Sequence, residues 1–308
     1  MRGFPGSAFR VLARFLLPFA ILGACWWLLR RQLDVLDLEA VRRATAAVPA
    51  GRLALAAIAT AGSYASLAVV ERVLFDTTGT PVRWRRVLLG SFISNSVSAS
   101  VGLVLVSAAF LRLRIYGRWA VPARDSIHVS LAFAPVVIMS AMLGAGLAIL
   151  AGLHDVQRSL GIGPVPPMAA ALVLALPAVA FLAVNGGREL RWRQLHLVIP
   201  TRGRRLALIG AGLGDWLCAS GAAFVVTGIA GAAGPLFLLQ FVFGWLFGAA
   251  SGLPAGAGVI DATMLRTFGN DANVAQLAAG LLLFRLVYFV VPALLALVLL
   301  AIIEWRNN

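Results

Sequence analysis

The stretch GLPAGAGVID, residues Gly252 to Asp261, interrupts an apolar segment that runs from Pro235 to Phe268. Glycine and proline weaken or break helices, and a carboxylate is costly at the depth of a bilayer. Irregular backbone of this kind is tolerated inside a membrane only where it is buried in protein or lines a polar cavity. A second polar interruption, SNSVSAS at residues 94–100, divides the apolar segment Val87–Leu111. Two interrupted segments in corresponding places predict a transport site.

The composition of the chain is that of a membrane protein. Of its 308 residues, 61% are hydrophobic and 12% are charged, and the mean hydropathy is +0.92. Because a soluble domain is about half apolar and about a quarter charged, we predict an all-helical polytopic protein with one integral membrane domain over residues 1–308. All 26 basic residues are arginines. We interpret the net charge of +14 as membrane topology and expect no nucleic-acid partner.

Eight apolar segments fix the predicted topology. Six are long enough to span a bilayer, at Val11–Leu29, Leu53–Phe75, Ser126–Leu150, Pro167–Val184, Leu206–Ile229 and Ala272–Ile303. The two interrupted segments are predicted to be re-entrant helix hairpins. Arginines flank Val87–Leu111 on both sides, and arginine prefers the cytoplasmic side. This hairpin is therefore expected to return to the side from which it enters.

The same order of segments occurs twice. The arginine distribution predicts that both termini lie in the cytoplasm. Residues 1–150 then contain two spans, a hairpin and a third span, and residues 167–303 repeat that order from the opposite side. The sequences FLRLRIYG at 110–117 and TMLRTFG at 263–269 support this inverted repeat, because each has a Leu-Arg pair and an aromatic-Gly pair. Inverted repeats place the substrate site at their interface, near the midplane.

Charged residues inside apolar segments are the first candidates for substrate binding. Each costs about 2.5–3.5 kcal/mol at the centre of a span, so such residues are usually functional or paired. We interpret Arg285 as a ligand of a lipid phosphate, and either Asp215 or Asp261 as the acid that balances it or contacts an amine. A structural ion pair is the alternative. The glycines at 252, 256 and 258 and Pro254 form the kink whose free N–H groups would bind an anion, or which serves helix packing.

A second group of candidates lies near the first hairpin. Arg112 and Arg114, with Tyr116, are expected at the cytoplasmic mouth, where they would capture anionic headgroups; ordinary anchoring of a cytoplasmic loop is the alternative. Asn95 is an amide at bilayer depth and needs partners, and Ser98 belongs to the same polar run. Glu71, near the end of the second span, is expected to pair with a neighbouring arginine, Arg72 or Arg83.

No catalytic or metal-binding pattern is present in the sequence. The histidines, His128, His154 and His196, are scattered, and the cysteines, Cys25 and Cys218, lie far apart in apolar segments. Neither set has the spacing of metal ligands, and no nucleophile-and-base motif occurs. We therefore predict no cofactor, no metal and no catalytic residue.

Taken together, these motifs resemble the flippase-like membrane region of the lysylphosphatidylglycerol synthase, or multiple peptide resistance factor, family. The stretch from Ser251 to Asp261 is similar to the family's pattern of a serine, a proline, glycines and a Gly-Val before an acid. Ala255 stands where a glycine is usual, and Asp261 where glutamate is usual. The remaining similarities are Arg112-Leu-Arg114-Ile-Tyr116, Asp215-Trp216 and Phe284-Arg285-Leu-Val-Tyr288-Phe-Val-Val-Pro292, whereas the Tyr-Asp pair expected on the second span reads Val70-Glu71.

The resemblance extends from about residue 10 to residue 303 and implies a stand-alone member without the soluble synthase domain. It implies translocation of an anionic or aminoacylated phospholipid between leaflets rather than lipid synthesis. A homo-oligomer or a separate synthase would then be its protein partner. A secondary transporter of a small polar solute would use the same architecture. A scaffold that presents a lipid intermediate to an enzyme is a further alternative, and an enzyme that acts alone is the last.

Overall fold

The computed structural model describes residues 46, 48–101, 104–160, 163–184, 186, 189–192, 195–229, 233–250, 258–269 and 274–306. Helices dominate this part of the chain. They are α1 (Ala50–Thr78), α2 (Trp84–Val101), α3 (Val104–Gly117), α4 (Ala123–Ala151), α5 (Leu153–Leu160), α6 (Val165–Ala183), α7 (Arg202–Thr227), α8 (Gly234–Ala250), α9 (Val259–Phe268), α10 (Val274–Arg285) and α11 (Val291–Arg306). A π-helical segment, Leu286–Val290, joins α10 to α11.

The helical class predicted from the sequence is confirmed, with one small exception. In the basic stretch between α6 and α7, strands β1 (Glu189–Trp192) and β2 (Leu195–Val198) form an antiparallel hairpin in which Glu189 is paired with Val198. Five helices of the described chain are long and apolar enough to cross a bilayer: α1, α4, α6, α7 and the continuous helix Gln276–Trp305. Each coincides with a predicted span. The sixth predicted span, Val11–Leu29, lies outside the described residues.

Helices α2 and α3 form an antiparallel hairpin. The hydroxyl of Tyr116 lies 3.4 Å from the carbonyl oxygen of Val87, and Arg112 bonds to Asn95 nearer the turn. The helix continues through residues 94–100, so the backbone interruption predicted there is wrong. The polar side chains of this run bond to the backbone of their own helix instead of breaking it: Ser96 Oγ donates to the Phe92 carbonyl at 2.5 Å.

Helices α8 and α9 form a second antiparallel hairpin. The rings of Phe237 and Phe268 have centroids 5.8 Å apart, and a methyl group added to Gly244 would lie 2.7 Å from Thr263 Oγ1. Helix α8 ends at Ala250 and α9 begins at Val259. These ends lie on either side of the interruption predicted from the glycines and the proline. The intervening residues 251–257, with Gly252, Pro254 and Gly256, lie outside the described residues.

The two halves of the described chain repeat one arrangement. A shift of 152 residues, the separation of Ser63 and Asp215 in the chain, aligns α1 with α7, one hairpin with the other, and α4 with the helix α10–α11. The same shift aligns Tyr116 with Phe268 and Gly117 with Gly269, within the two similar sequences. Packing follows the repeat as well, because α2 packs on α11 while α8 packs on α4.

The corresponding helices α1 and α7 cross each other in antiparallel directions. Small residues let their backbones approach: a methyl group on Gly62 would lie 3.0 Å from the Cys218 sulfur, and one on Gly214 would lie 3.0 Å from Ser66 Oγ. Close contact through glycine and serine is the usual mode of helix association in membranes. The crossing therefore places Ser63 of α1 against Asp215 of α7.

Candidate functional site

We distinguish three sets of interacting polar side chains within the described part of the helical bundle. We call them the Glu71 cluster (Glu71, Asn95, Arg112 and Tyr116), the Asp215 cluster (Ser63, Tyr64, Asp215 and Tyr288) and the Arg285–Asp261 pair. Helices α1, α2 and α3 position the first cluster. Helices α1 and α7 and the π-helical segment position the second, and α9 and α10 position the pair.

The Glu71 cluster is a buried ion pair in which each charged group has hydrogen-bond partners. Glu71 is 0% exposed and Arg112 is 2% exposed. Arg112 Nε donates to Glu71 Oε2 at 3.0 Å, and its Nη2 donates to Asn95 Oδ1 at 3.1 Å. The Tyr116 hydroxyl donates to Glu71 Oε1 at 2.6 Å. The guanidinium carbon of Arg112 also lies 4.2 Å from the centroid of the Phe133 ring, a cation–π contact.

These contacts correct three expectations for the first hairpin. Arg112 does not lie at the cytoplasmic mouth where it would contact lipid headgroups, because its side chain is buried in the bundle and paired with Glu71 of α1. Glu71 pairs with neither of the arginines expected from the sequence; Arg72 bonds to Asp76 instead. Tyr116 is buried, and its ring packs so closely on Gly90 that an added methyl group there would lie 2.6 Å from the ring.

Arg114 joins α3 to the end of α11. Its Nε lies 2.8 Å from Glu304 Oε1, and Arg118 pairs with the other oxygen of the same carboxylate. Arg114 lies in the last turn of α3, and Arg118 directly follows the end of that helix, with its N–H 3.3 Å from the Arg114 carbonyl oxygen. Their sequence spacing favours a shared acidic partner, but no local pattern identifies Glu304, 190 residues further along the chain from Arg114. Arg114 is therefore engaged in packing at this end of the bundle, and its predicted role in collecting lipid has no support from this contact.

The Asp215 cluster lies where α1, α7 and the π-helical segment meet. Ser63 Oγ donates to Asp215 Oδ1 at 2.5 Å and lies 2.7 Å from the Tyr288 hydroxyl. The Tyr64 hydroxyl donates to the carbonyl oxygen of Tyr288 at 3.0 Å, and the two tyrosine rings stack. Asp215 is 6% exposed and makes no ion pair within the described part of the chain. The cluster therefore holds a buried acid through hydroxyl groups alone.

The Arg285–Asp261 pair differs from the Glu71 cluster in its exposure. The guanidinium Nη2 of Arg285 bonds to Asp261 Oδ2, and the two side chains are 24% and 26% exposed. The Gly258 N–H also donates to Asp261 Oδ2 at 3.2 Å, with Gly258 at φ +84°, where glycine is favoured. Of the two acids proposed to balance Arg285, Asp261 is the one that does so. Arg285 lies in a helix that is long and apolar enough to span a membrane, and the pair that it forms with Asp261 of α9 remains accessible.

The other predicted site residues have local roles. Ser98 Oγ donates to the Asn95 carbonyl at 3.1 Å, one turn back in α2. Asn95 itself donates to the Ser91 carbonyl at 2.9 Å, so both ends of its amide have partners. Trp216, beside Asp215, donates its ring N–H to the Val137 carbonyl at 3.0 Å and serves packing. Across the described residues, no three His, Cys, Asp or Glu side chains form a group that could hold a metal ion.

A groove beside the Asp215 cluster was not predicted from the sequence. It has a volume of about 780 Å³ and lies between α1, α2, the π-helical segment and α11. Its wall is apolar apart from Thr60, Tyr64 and Arg85. Arg85 is exposed and has no ion pair to any residue that the structure describes. The basic stretch at residues 83–86 is the sequence signal for this end of the groove, but its apolar wall depends on which helices pack together.

Comparison with known proteins adds one distant relative. No family model matches the chain. An uncharacterized protein of Synechocystis sp. (strain ATCC 27184 / PCC 6803 / Kazusa) is 26% identical over 210 residues, which cover 65% of this chain and 63% of the relative. The match thus spans less than two thirds of the relative's length, and the description of that relative assigns it no activity.

Proposed function

We propose that this protein moves a phospholipid with an anionic or aminoacylated headgroup between the leaflets of a bacterial inner membrane. The observation that carries the proposal is the Arg285–Asp261 pair. A guanidinium binds a phosphodiester through charge-assisted hydrogen bonds, and a nearby carboxylate binds the ammonium group of an aminoacyl headgroup. Both side chains are about a quarter exposed, so a headgroup can reach them without unfolding the bundle.

The groove between α1, α2 and α11 favours a lipid over a small solute. Its wall is predominantly apolar, which suits acyl chains, and it borders Tyr64, which stacks on Tyr288 three residues after Arg285. Arg85 places a positive charge at the groove, where it would attract an anionic headgroup. A small polar solute would have to replace its hydration through the few polar groups of this wall, Thr60, Tyr64 and Arg85, whereas acyl chains need no such partners.

The internal repeat supports a translocation mechanism. In the proposed topology, the α2–α3 hairpin enters the membrane from the cytoplasm and the α8–α9 hairpin enters from the outside, with both termini in the cytoplasm. The halves 1–150 and 167–303 would then be inverted repeats around a site near the midplane. The similarity of the charged motifs to the flippase-like region of the lysylphosphatidylglycerol synthases belongs to the same proposal. The protein's partner would then be a separate synthase or a second copy of the chain.

Reconstitution into vesicles tests the role of Arg285. Fluorescent phosphatidylglycerol and its aminoacylated form are followed as they move between leaflets. A hydrogen bond to a charged group contributes about 1.5–3 kcal/mol, so Arg285→Ala is expected to slow translocation about tenfold or more. Arg285→Lys retains the charge but not the planar fork, and we expect a rate between those of the wild type and the alanine variant.

Arg266 provides the matched control. It is exposed on α9, the helix that carries Asp261, and Arg266→Ala is expected to move lipid at the wild-type rate. Equal rates for Arg285→Ala and the wild type would refute the role of Arg285. If the vesicles carried a soluble organic anion but no lipid, the chain would be a solute transporter instead.

A further inference from the structure

We propose that Asp215 is a proton-binding site that couples lipid movement to a proton gradient across the membrane. This inference rests on the proposed function and adds the source of energy for it. It follows from the partners of Asp215, from the charges around it and from the backbone segment that it shares with Arg285.

The partners of Asp215 suit a group that changes its protonation state. Ser63 Oγ, 2.5 Å from Oδ1, can donate to a carboxylate or accept from a carboxylic acid. The Tyr288 hydroxyl, 2.7 Å from Ser63 Oγ, can likewise act as donor or acceptor. When a proton binds to Asp215, the two hydroxyl hydrogens can reverse direction, which changes the hydrogen bond that Ser63 makes with Tyr288. The same site therefore accommodates both states of the acid.

The lack of a cation among the groups that face Asp215 favours the neutral carboxylic acid as one of those states. From α1 it is faced by Ser63 and Tyr64, from the π-helical segment by Tyr288, and on α7 itself by Cys218. None of these groups is a cation. A buried carboxylate without a counter-ion costs several kcal/mol, and binding a proton removes that cost.

Among the residues that the structure describes, the other helices packed on α7 bring no compensating charge to Asp215. Helices α6 and α8 contain no titratable side chain, and those of α4 lie in its first two turns. In α10 the only titratable group is Arg285, which is bound to Asp261. Glu71, which is also buried, is paired with Arg112 at 3.0 Å. Asp215 differs from it in having no cationic partner among the described residues.

A single backbone element links this acid to the lipid site. Arg285 is the last residue of α10, and Tyr288 lies in the π-helical segment that begins one residue later. Such π-helical turns are rare and occur frequently at functional sites. When Asp215 gains or loses a proton, its bond network to Tyr288 changes, and Tyr288 lies one turn from the arginine that would hold the phosphate. Proton binding and headgroup binding thus bias the same segment.

The test uses the full chain in vesicles that contain a pH-sensitive dye and fluorescent phosphatidylglycerol in one leaflet. The membrane potential is clamped and sodium is equal on both sides. We expect wild-type translocation to accelerate several-fold in a proton gradient of one direction and to slow in the reverse gradient, with lipid-dependent proton flux. In Asp215→Asn, the ratio of the rates with and without the gradient is expected to fall to one, and the proton flux is expected to disappear.

Two further variants separate coupling from folding. Asp76→Asn changes a partly exposed acid at the end of α1 and is expected to keep the gradient response. Ser63→Ala removes the hydroxyl that bonds to Asp215 and is expected to move the pH midpoint of the response. An unchanged midpoint in Ser63→Ala, together with an unchanged gradient ratio in Asp215→Asn, would overturn the proposal.

The remaining outcomes distinguish the inference from the proposed function. If wild-type protein moves lipid at a rate that no proton gradient alters, the inference fails and the function stands. If a sodium gradient drives movement and Asp215→Asn abolishes that response, the site binds sodium and not a proton. If no lipid moves at all, the function fails, and proton uptake by purified wild-type and Asp215→Asn protein in detergent decides the proton site. Equal uptake by the two proteins would overturn it.

Discussion

Glu71 and Asp215 are both buried acids, and their neighbours give them different chemical properties. Glu71 accepts hydrogen bonds from Arg112 at 3.0 Å and from Tyr116 at 2.6 Å, so its charge is compensated. Asp215 has a serine hydroxyl at 2.5 Å and, within the described part of the chain, no cation beside it. A buried ion pair holds its elements together strongly, because removal of one partner leaves an uncompensated charge. We therefore infer that the Glu71 cluster stabilises the fold, whereas Asp215 is the acid that we propose to exchange a proton.

The buried pair of Glu71 and Arg112 can be tested by its effect on the stability of the protein. Arg112→Met leaves the Glu71 carboxylate buried without a cation, and this is expected to lower the free energy of unfolding by about 3–5 kcal/mol. Glu71→Gln is expected to destabilise by a similar amount for the same reason. The double variant removes both charges and is expected to be more stable than either single variant. Unfolding in detergent, followed by heat or denaturant, provides the comparison.

Arg83→Met is the control for this cycle, because Arg83 is exposed next to the start of α2. It is expected to unfold like the wild type. Strictly additive losses in the double variant would mean that Glu71 and Arg112 do not act as a pair.

Close helix crossings fix the geometry of the bundle. Gly280 of α10 lies against the backbone of α7: an added methyl group would lie 2.5 Å from Thr227 Cα and 2.6 Å from the Val226 carbonyl oxygen. Backbone atoms cannot rotate away as a flexible side chain can. Gly280 therefore sets the distance between α10, which carries Arg285, and α7, which carries Asp215.

Gly280→Ala is accordingly expected to push α10 away from α7. We expect a loss of about 1–3 kcal/mol in stability and a lower rate of lipid translocation, since the two polar sites lose their relative position. Gly221→Ala on α7 is the matched control, because nothing lies within 4 Å of the added methyl group. If both variants unfold at the same temperature as the wild type, the crossing does not constrain the bundle.

The two stretches that interrupt apolar segments, residues 252–261 and 94–100, affect their helices differently. The glycine and proline stretch lies where α8 ends and α9 begins, as predicted. The serine and asparagine stretch stays helical within α2. Proline and glycine change what the backbone itself can do, whereas serine only offers the backbone an alternative hydrogen bond. Within α2, Ser96 and Ser98 form that bond inside a helix and leave it intact.

The described helices form a repeat, since a shift of 152 residues aligns those of the first half with those of the second. In the proposed topology, one hairpin opens to each side of the membrane. Single cysteines, in a chain without Cys25 and Cys218, test this arrangement with an impermeant maleimide applied to oriented vesicles. Cysteines at 83 and 124, which flank the α2–α3 hairpin, are expected to react from the cytoplasmic side. Cysteines at 234 and 274, which flank the α8–α9 hairpin, are expected to react from the opposite side.

Two exposed arginines provide the controls for orientation. Arg158→Cys, in α5, is expected to react from the outside, and Arg202→Cys, at the start of α7, from the cytoplasm. A hairpin whose two flanking cysteines react from opposite sides crosses the membrane completely, and the inverted repeat would then be wrong.

The five described span-length helices and their order follow from the amino-acid sequence alone, because burial in lipid requires a continuous run of apolar residues that is local in the chain. The sequence also identified Arg285 and Asp215 as residues that need partners, since an intramembrane charge is conspicuous wherever it folds. Their partners become known only from the packing of the helices. Arg285 pairs with Asp261, 24 residues before it, and Arg112 pairs with Glu71, 41 residues before it. Such pairings depend on how helices cross, and a helix crossing is set by packing across the bundle rather than by any local pattern.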